Sequence, residues 1–307
     1  MTKAVQHLID WKFWDDDAVR EILALALRVK ASRWEFQGHM QGRTLVMLFQ
    51  KTSTRTRVSF EAGMTELGGH AIHMDWRASN FSLTDIRYEA RYLSRNAAFI
   101  MARLKENDDL LKIESAATVP VINGCCNLYH PCQALADMLT IATDRGGSAA
   151  GARLTYVGAY NNVVNSLVSI ARPLGVHLTL CCPIADDSVI DAHARAALAD
   201  AGLLEETLDA RAAVANADYV YTDTWLDMEF FNDPSFAEEK RRRVELMLPY
   251  QLNEELLQRS NAKVMHDMPI HAGYEISAEL VESERSIIYD QAENRLDAQK
   301  AILVTLL

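Results

Sequence analysis

The stretch TLVMLFQKTSTRTR at residues 44–57 decides the fold, because it joins an apolar run to a dense polar cluster. Its first six residues have the length of a buried strand. A helix-like stretch follows over 58–67, ends at two glycines and leads directly to a second strand at 71–74. Strand, loop, helix and strand in this order indicate a parallel sheet covered by helices.

The same alternation continues along the chain and is interrupted once. A helix is predicted at 14–32, where acidic residues precede an apolar stripe. The glycine-rich segment 145–151 breaks the series, so we place a domain boundary there, with one domain at 1–147 and a second at 148–287. A C-terminal helix at 288–307 is expected to pack back on the first domain. Further strands are expected at 98–102, 119–122, 153–157, 177–181 and 219–222, with a further helix at 132–143.

Charge and composition argue against several classes of protein. The 307 residues carry a formal net charge of −11, which argues against a nucleic-acid partner because binding the phosphate backbone requires basic surface. No apolar run approaches the roughly 20 residues that span a bilayer. The five cysteines lack Cys-x-x-Cys spacing and no secretory leader precedes them. We therefore expect reduced thiols in a cytoplasmic protein without membrane contact.

The polar cluster at 51–57 has the composition of a phosphate-binding loop. A helix start offers an anion unpaired N–H groups and the positive end of the helix dipole. Ser53, Thr54 and Thr56 add hydroxyl donors, and Arg55 adds a planar guanidinium suited to phosphate. The competing interpretation is an ordinary capped helix with solvated arginines. Three hydroxyls and two arginines in five residues favour the phosphate site.

A second polar cluster begins at His130. This residue precedes a proline, where the chain is extended, and a helix opens directly after it. The imidazole of His130 could donate to a carbonyl oxygen, with Gln133 one helical turn further on. Taken alone, a His-Pro pair is more often a turn than a site.

Together, these motifs resemble those of the aspartate/ornithine carbamoyltransferase family. Residues 49–61, FQKTSTRTRVSFE, look like that family's carbamoyl-phosphate signature, and HPCQ at 130–133 is similar to its second motif. The motifs occur in the family's order across nearly the whole chain. The likeness to the ornithine branch extends to NNVVNS at 161–166, TDTW at 222–225, PYQLN at 249–253 and ENR at 293–295.

The resemblance implies a carbamoyltransferase of amino-acid and arginine metabolism. It implies an α/β fold of two doubly wound parallel-sheet domains. The first would bind carbamoyl phosphate, and the second would bind an amine, either ornithine or a related diamino acid or diamine. It also implies a homotrimer with active sites shared between subunits, and no metal or organic cofactor. The neighbouring subunit's donor would come from the loop 75–85, where Ser82 or Trp76 is the candidate.

The resemblance also implies roles for individual residues. Ser53, Thr54, Arg55 and Thr56 would hold the phosphate. Arg103 would join them and donate to the carbonyl oxygen together with His130. Gln133 would contact the carbamoyl amide. The carbamoyl-phosphate-binding set is Ser53, Thr54, Arg55, Thr56, Arg103, His130, Gln133 and Arg295. The catalytic set is Arg103, His130 and Asp267, and the acceptor-binding set is Asn162, Asp223, Asp227, Met228, Asp267 and Met268.

The acceptor motifs depart from the ornithine pattern. Where ornithine enzymes read His-Cys-Leu-Pro, residues 266–269 are HDMP. Asp267 therefore replaces the cysteine that contacts the reacting amine, and it could accept the proton of the amine or bind a cation. Asp227 and Glu229 replace the serine and glycine of Ser-Met-Gly, whereas Asp223 remains. A more acidic pocket favours an acceptor with an extra cationic or hydrogen-bond-donating group.

Two other functions compete with the active enzyme. A carbamoyl-phosphate-binding family member without acceptor chemistry, a regulatory protein or pseudo-enzyme, would keep the first half of the chain and lose the function of the second. A nucleotide-dependent dehydrogenase is set aside because GAYNN at 158–162 lacks the Gly-x-Gly-x-x-Gly turn.

Overall fold

The apolar run at 44–49 becomes an interior strand of a four-stranded parallel sheet in the computed structural model, which describes residues 5–226 and 233–307. The strands are β1 (Thr44–Phe49), β2 (His70–Asp75), β3 (Phe99–Arg103) and β4 (Val121–Cys125). Their order is β2-β1-β3-β4, and every neighbouring pair is parallel. β2 is an edge strand with no fully buried residue, whereas β1, β3 and β4 are almost entirely buried.

A second, five-stranded parallel sheet follows the predicted break in the chain. Its strands are β5 (Arg153–Ala159), β6 (His177–Ile184), β7 (Leu204–Glu206), β8 (Tyr219–Thr222) and β9 (Lys263–His266), in the order β7-β6-β5-β8-β9. The sequence patterns do not predict β7 and β9, because each is short and flanked or filled by polar residues. The predicted fold class, two doubly wound parallel-sheet domains, is confirmed.

Helices cover the sheets. They are α1 (Asp16–Ala31), α2 (Thr54–Glu66), α3 (Ile86–Leu93), α4 (Asn107–Ala116), α5 (Pro131–Asp144), α6 (Asn162–Leu174), α7 (Ala192–Asp200), α8 (Ala210–Val214), α9 (Ala237–Met247), α10 (Ala278–Val281) and α11 (Ile288–Leu306). The helix predicted from residue 58 begins four residues earlier, because Ser53 accepts a hydrogen bond from the N–H of Thr56 and so caps the first turn of α2. The polar cluster is therefore largely helical.

The C-terminal helix α11 packs on the first domain, as predicted. It lies against α1, α2 and α5. One of its contacts is a buried ion pair in which Lys300 Nζ lies 2.9 Å from a carboxylate oxygen of Glu66 on α2. The pairing offsets the cost of removing two charges from water. The last helix of the chain thus places Arg295 against α2 and α5 of the first domain, although it follows the second sheet in sequence.

The topology brings the ends of particular strands together. In each sheet the strand order reverses at the first strand, between β1 and β3 in one sheet and between β5 and β8 in the other. Ligands of open α/β sheets bind outside the carboxyl ends of the strands at such a switch point. The polar residues that follow β1, β3, β5 and β8 therefore lie where a site is expected.

Candidate active site

The carboxyl ends of the two sheets face one cavity. Residues at or after the carboxyl ends of β1, β3 and β4 line one part of it, together with Arg295 of α11, and residues that follow β5, β8 and β9 line the other. The lining residues are Lys51, Thr52, Ser53, Arg55, Arg103, Cys125, His130, Asn161, Asn162, Asp223, Thr224, Asp267, Met268 and Arg295. Most of the residues singled out in the sequence therefore share one cavity.

Three arginines define what we call the basic side of the cavity: Arg55, Arg103 and Arg295. They come from α2, β3 and α11, and each has a buried Nε without a hydrogen-bond partner among the described residues. Burial and two neighbouring guanidinium groups lower the pKa of Arg55, while Asp267 raises it. Buried polar groups are normally hydrogen-bonded, so three unpartnered donors around one cavity indicate a site for an anion.

His130 lies on the basic side as a neutral imidazole. Its side chain is buried at the start of α5, and its Nδ1 has no hydrogen-bond partner among the described residues. Burial, reinforced by the three arginines, lowers the pKa of His130 well below its usual value. A neutral imidazole among cations can donate one N–H without adding charge.

Thr56 and Gln133 lie behind the cavity wall and hold Arg295. Its Nη2 donates to Thr56 Oγ1 at 2.7 Å, and its Nη1 donates to Gln133 Oε1 at 2.8 Å. Thr56 and Gln133 are buried, and neither lines the cavity. The arrangement fixes the plane of the guanidinium before any ligand arrives.

The carboxylates Asp223 and Asp267 form what we call the acidic side, together with Asn161 and Asn162. Asp223 follows β8 and is buried, and it accepts a hydrogen bond from Asn161 Nδ2 at 2.7 Å. Burial raises the pKa of Asp223, and the nearby carboxylate of Asp267 raises it further. Two carboxyl groups this close favour binding of a cation or sharing of a proton.

Asp267 connects the two sides. One of its carboxylate oxygens lies 3.5 Å from Nη1 of Arg295, and Arg55 donates to the backbone oxygen of Met268 at 2.5 Å. The loop is held by His266, whose Nδ1 accepts the N–H of Met268 at 2.7 Å and whose Nε2 lies 3.1 Å from Glu275. The loop after β9, which carries Asp267 and Met268 and which we call the acidic loop, is thus bonded to Arg55 at the start of α2.

Other predicted site residues lie elsewhere. Thr54 lines a separate depression with His73 and Arg77 and does not line the cavity. Trp76 packs on Phe81, and Ser82 donates to a backbone oxygen within its own turn, so neither lines the cavity of its own chain. Asp227 and Met228 lie outside the described residues.

Five lining residues were not among the predicted site residues: Lys51, Thr52, Cys125, Asn161 and Thr224. Each lies within two residues of a strand end or adjoins a residue that was predicted. Proximity to the carboxyl end of a parallel strand is the signal that could have found them. Asn161 also caps α6 through its Oδ1, which accepts the N–H groups of Val163 and Val164.

Within residues 5–226 and 233–307, no group of three or more His, Cys, Asp or Glu side chains is arranged to hold a metal ion. None of the helices in this described part of the chain has the length and apolar character needed to cross a bilayer.

Sequence comparison places each part of the chain in a known domain family. Residues 6–143 match the carbamoyl-P binding domain of aspartate/ornithine carbamoyltransferase, and residues 150–306 match its Asp/Orn binding domain. An ornithine carbamoyltransferase from Archaeoglobus fulgidus is 39% identical over 99% of this chain and 98% of its own length. One from Halalkalibacterium halodurans is 38% identical over 95% of this chain and 92% of its own length.

Solved structures agree with the sequence relatives. The ornithine carbamoyltransferase of Pyrococcus furiosus superposes with a TM-score of 0.89 at 37% identity, over 98% of this chain and 96% of that one. An N-acetyl-L-ornithine transcarbamylase mutant complexed with PALAO superposes with a TM-score of 0.85 at 28% identity, over 99% of this chain and 100% of that one.

Fold and site together define a two-domain α/β transferase whose cavity has a basic side and an acidic side. The chain belongs to the aspartate/ornithine carbamoyltransferase family and is a carbamoyltransferase.

Proposed function

We propose that this chain transfers the carbamoyl group of carbamoyl phosphate to an amine of ornithine, or of a related diamino acid or diamine, and releases phosphate. The observation that carries the proposal is the division of one cavity into a basic side and an acidic side. The basic side has three arginine Nε groups that lack a hydrogen-bond partner in the described part of the chain, and the acidic side has two carboxylates. A dianionic donor and a cationic acceptor would each find opposite charge. We further propose residues 1–147 with 288–307 as the donor domain and 148–287 as the acceptor domain.

The donor fits the basic side. The first turn of α2 and the guanidinium of Arg55 would hold the phosphate, with Ser53 at the cap. Arg103 and neutral His130 would donate to the carbonyl oxygen, where negative charge develops as the amine attacks. Thr56 and Gln133 would act through Arg295, which they hold.

The reaction requires a neutral amine. A lone pair on nitrogen forms the new C–N bond, the C–O bond to phosphate breaks, and the electron pair of that bond leaves with the phosphate. The phosphate takes up the proton that the nitrogen loses after it attacks. A free alkyl ammonium has a pKa near 10.4, so a group in the site must remove its proton first. Asp267 would accept it, because its carboxylate lies beside the basic side, 3.5 Å from Arg295.

The acidic side also bears on the acceptor. Asp223 would hold a second ammonium group, with Asn162 available to a substrate carboxylate. Aspartate is disfavoured as the acceptor because its side-chain carboxylate would face Asp223 and Asp267. The alternative of a donor-binding protein without acceptor chemistry gains no support, because both sides of the cavity carry groups suited to their substrates.

A substrate panel tests the proposal. Purified protein with carbamoyl phosphate is offered ornithine, lysine, putrescine and other amines, and phosphate release is followed together with the carbamoylated product. Turnover is expected with at least one acceptor that has two cationic groups. If carbamoyl phosphate binds but no amine is carbamoylated, the chain is a donor-binding protein and the proposed reaction is wrong.

We also propose a homotrimer with sites shared between subunits. The first domain exposes Ile72 on edge strand β2, Leu83 before α3, and Tyr88 and Tyr92 on α3. Exposed large apolar side chains within one short segment of the chain, residues 72–92, favour contact with a second copy. The turn that holds Trp76 and Ser82 lies between β2 and α3, so it would enter the neighbour's site.

Light scattering tests the assembly. A mass of about three times the 34.4 kDa chain is expected. Leu83→Asp should yield smaller species, whereas Leu208→Asp, which changes an exposed leucine of the second domain, should not. Mixing Arg55→Ala subunits with Trp76→Ala subunits should restore part of the activity if each site combines two chains. A wild-type monomer that is fully active would contradict this arrangement.

A further inference from the structure

Behind the cavity lies a fully buried carboxyl group, Asp137, that is not itself a lining residue. Asp137 lies on α5, one turn after Gln133. Its Oδ1 accepts the side-chain N–H of Gln133 at 2.8 Å and that of Gln291, on α11, at 2.7 Å. All three side chains are almost completely buried. One oxygen atom therefore fixes two amide groups that come from two helices.

The first amide leads to the basic side. Gln133 donates through Nε2 to Asp137 and accepts through Oε1 from Arg295 Nη1 at 2.8 Å. A flipped amide would direct an NH2 group at the guanidinium, where two donors would face each other. Asp137 therefore selects the amide orientation that holds Arg295.

The second amide leads to the acidic side. Gln291 donates to Asp137 and accepts through Oε1 from the backbone N–H of His266 at 2.8 Å. His266 ends β9 and directly precedes Asp267. The same carboxyl oxygen therefore also fixes the backbone from which the acidic loop departs.

We propose that Asp137 is a positioning residue for the transfer reaction, because it aligns Arg295 through Gln133 and the Asp267 loop through Gln291. This inference depends on the proposed function in one respect, namely which reaction Asp137 serves. The physical reason is that reacting groups must be held within a fraction of an ångström, and a 1 Å displacement costs about 100-fold in rate.

The protonation state of Asp137 favours this role. Burial raises its pKa to about 8, with Asp267 adding to the rise and the amides of Gln291 and Gln133 opposing it. From β8, Tyr221 also faces it and lowers its pKa. At neutral pH the group is largely a neutral carboxyl, whose Oδ1 acts as a carbonyl acceptor. An asparagine offers the same acceptor in the same place.

Three variants separate positioning from general stability. Asp137→Ala removes the shared acceptor, and Asp137→Asn keeps it. Thr140→Val is the matched control, because Thr140 Oγ1 accepts from Asn294 Nδ2 at 2.8 Å and so joins the same two helices one turn away. Each variant is assayed with carbamoyl phosphate and the amine that the wild type uses best, at a temperature where all are folded.

Asp137→Ala is expected to lower kcat/KM about 100-fold, while Asp137→Asn stays within about fivefold and Thr140→Val within about twofold of the wild type. The double variant Gln133→Ala/Asp137→Ala should have a kcat/KM no lower than that of Asp137→Ala alone. The single variant already disrupts the hydrogen-bond network to which Gln133 belongs. Equal losses in Asp137→Ala and Thr140→Val, or an asparagine variant as impaired as the alanine variant, would overturn the proposal.

Two further measurements keep the test decisive. If Asp137→Ala does not fold, Gln291→Ala cuts only one connection and should raise KM for the amine about tenfold with carbamoyl phosphate affinity unchanged; an unchanged KM would overturn the proposal. If the wild type carbamoylates no amine, the proposed function fails by itself. Calorimetry then decides on Asp137, whose alanine variant should bind carbamoyl phosphate about tenfold more weakly than Thr140→Val, and equal affinities would contradict its role.

Discussion

The basic side and the acidic side of the cavity differ in how they are held and in how directly sequence motifs describe them. On the basic side, Arg295 is held by Thr56 and Gln133. Ser53 caps α2, and residues 53–56 and 130–133 form two compact motifs, to which β3 and α11 add Arg103 and Arg295. On the acidic side, Asp223 and Asp267 follow different strands, and burial together with the neighbouring carboxylate of Asp267 raises the pKa of Asp223.

The difference shows that recognition of the donor and selection of the acceptor depend on different features of the protein. An anion can be held by guanidinium groups and a helix start at fixed positions, so the donor is recognised from local sequence. An acceptor is selected by the spacing of two carboxyl groups contributed by separate loops. The sides meet at the ion pair of Asp267 with Arg295, where a change on one side reaches the other.

The largest expected effect is on the basic side. Arg55→Ala should weaken carbamoyl phosphate binding about 100-fold or more, because a charge-assisted phosphate contact contributes a few kcal/mol. Calorimetric titration measures it. Arg57→Ala is the control, since Arg57 lies two residues along the same helix but is exposed and paired with Glu61. Equal affinity in Arg55→Ala and wild type would show that the anion binds elsewhere.

On the acidic side, Asp223→Asn should raise KM for the amine about 30-fold and leave carbamoyl phosphate affinity within about twofold, because only the contact to the second ammonium is lost. Steady-state kinetics with each substrate varied in turn separates the two effects. Loss of affinity for both substrates alike would mean that the two sides do not act as separate binding surfaces.

Asp267→Cys should produce a smaller and more selective change. If this position selects the acceptor, preference should shift toward ornithine by about tenfold relative to the best wild-type amine, because one carboxylate is replaced by a neutral thiol. The ratio of kcat/KM values for the two amines measures the shift. An unaltered ratio would place selection elsewhere, at Asp227 and Glu229.

The remaining expected effect is on folding stability rather than on binding or catalysis, and it concerns Asp137 behind the cavity. The pKa of Asp137 is raised to about 8, above the usual value of 3.8, so its proton favours the folded state. That contribution is complete below about pH 4 and is lost as the pH rises through about 8. Between pH 6 and 9 the wild type should lose about 3 kcal/mol more unfolding free energy than Asp137→Asn. Chemical denaturation at both pH values measures the difference, and parallel losses would contradict a raised pKa.

Local sequence predicted much of the fold. The helix at 14–32, β1 and β8 are correct to within two residues, because acidic caps and apolar runs act over short distances. The start of α2 was wrong by four residues, since Ser53 caps the helix and brings polar residues into its first turn. The strands β7 and β9 carry too little apolar pattern to be recognised alone.

The sequence also predicted most of the residues that line the cavity. Ser53, Arg55, Arg103, His130, Asn162, Asp223, Asp267, Met268 and Arg295 were all singled out from sequence, and all line it. Motifs state which residues matter, because the chemistry of a guanidinium, an imidazole or a carboxylate belongs to the side chain itself.

Only the tertiary structure decided which of these residues line the cavity and which hold another residue. Thr56 and Gln133 are part of the motifs, yet they lie behind Arg295. Asp137 follows Gln133 by four residues, but its importance depends on Gln291, which is 154 residues away. Burial, and the contacts it makes with distant parts of the chain, cannot be read from neighbouring residues, because they arise when two sheets and a returning C-terminal helix enclose the same space.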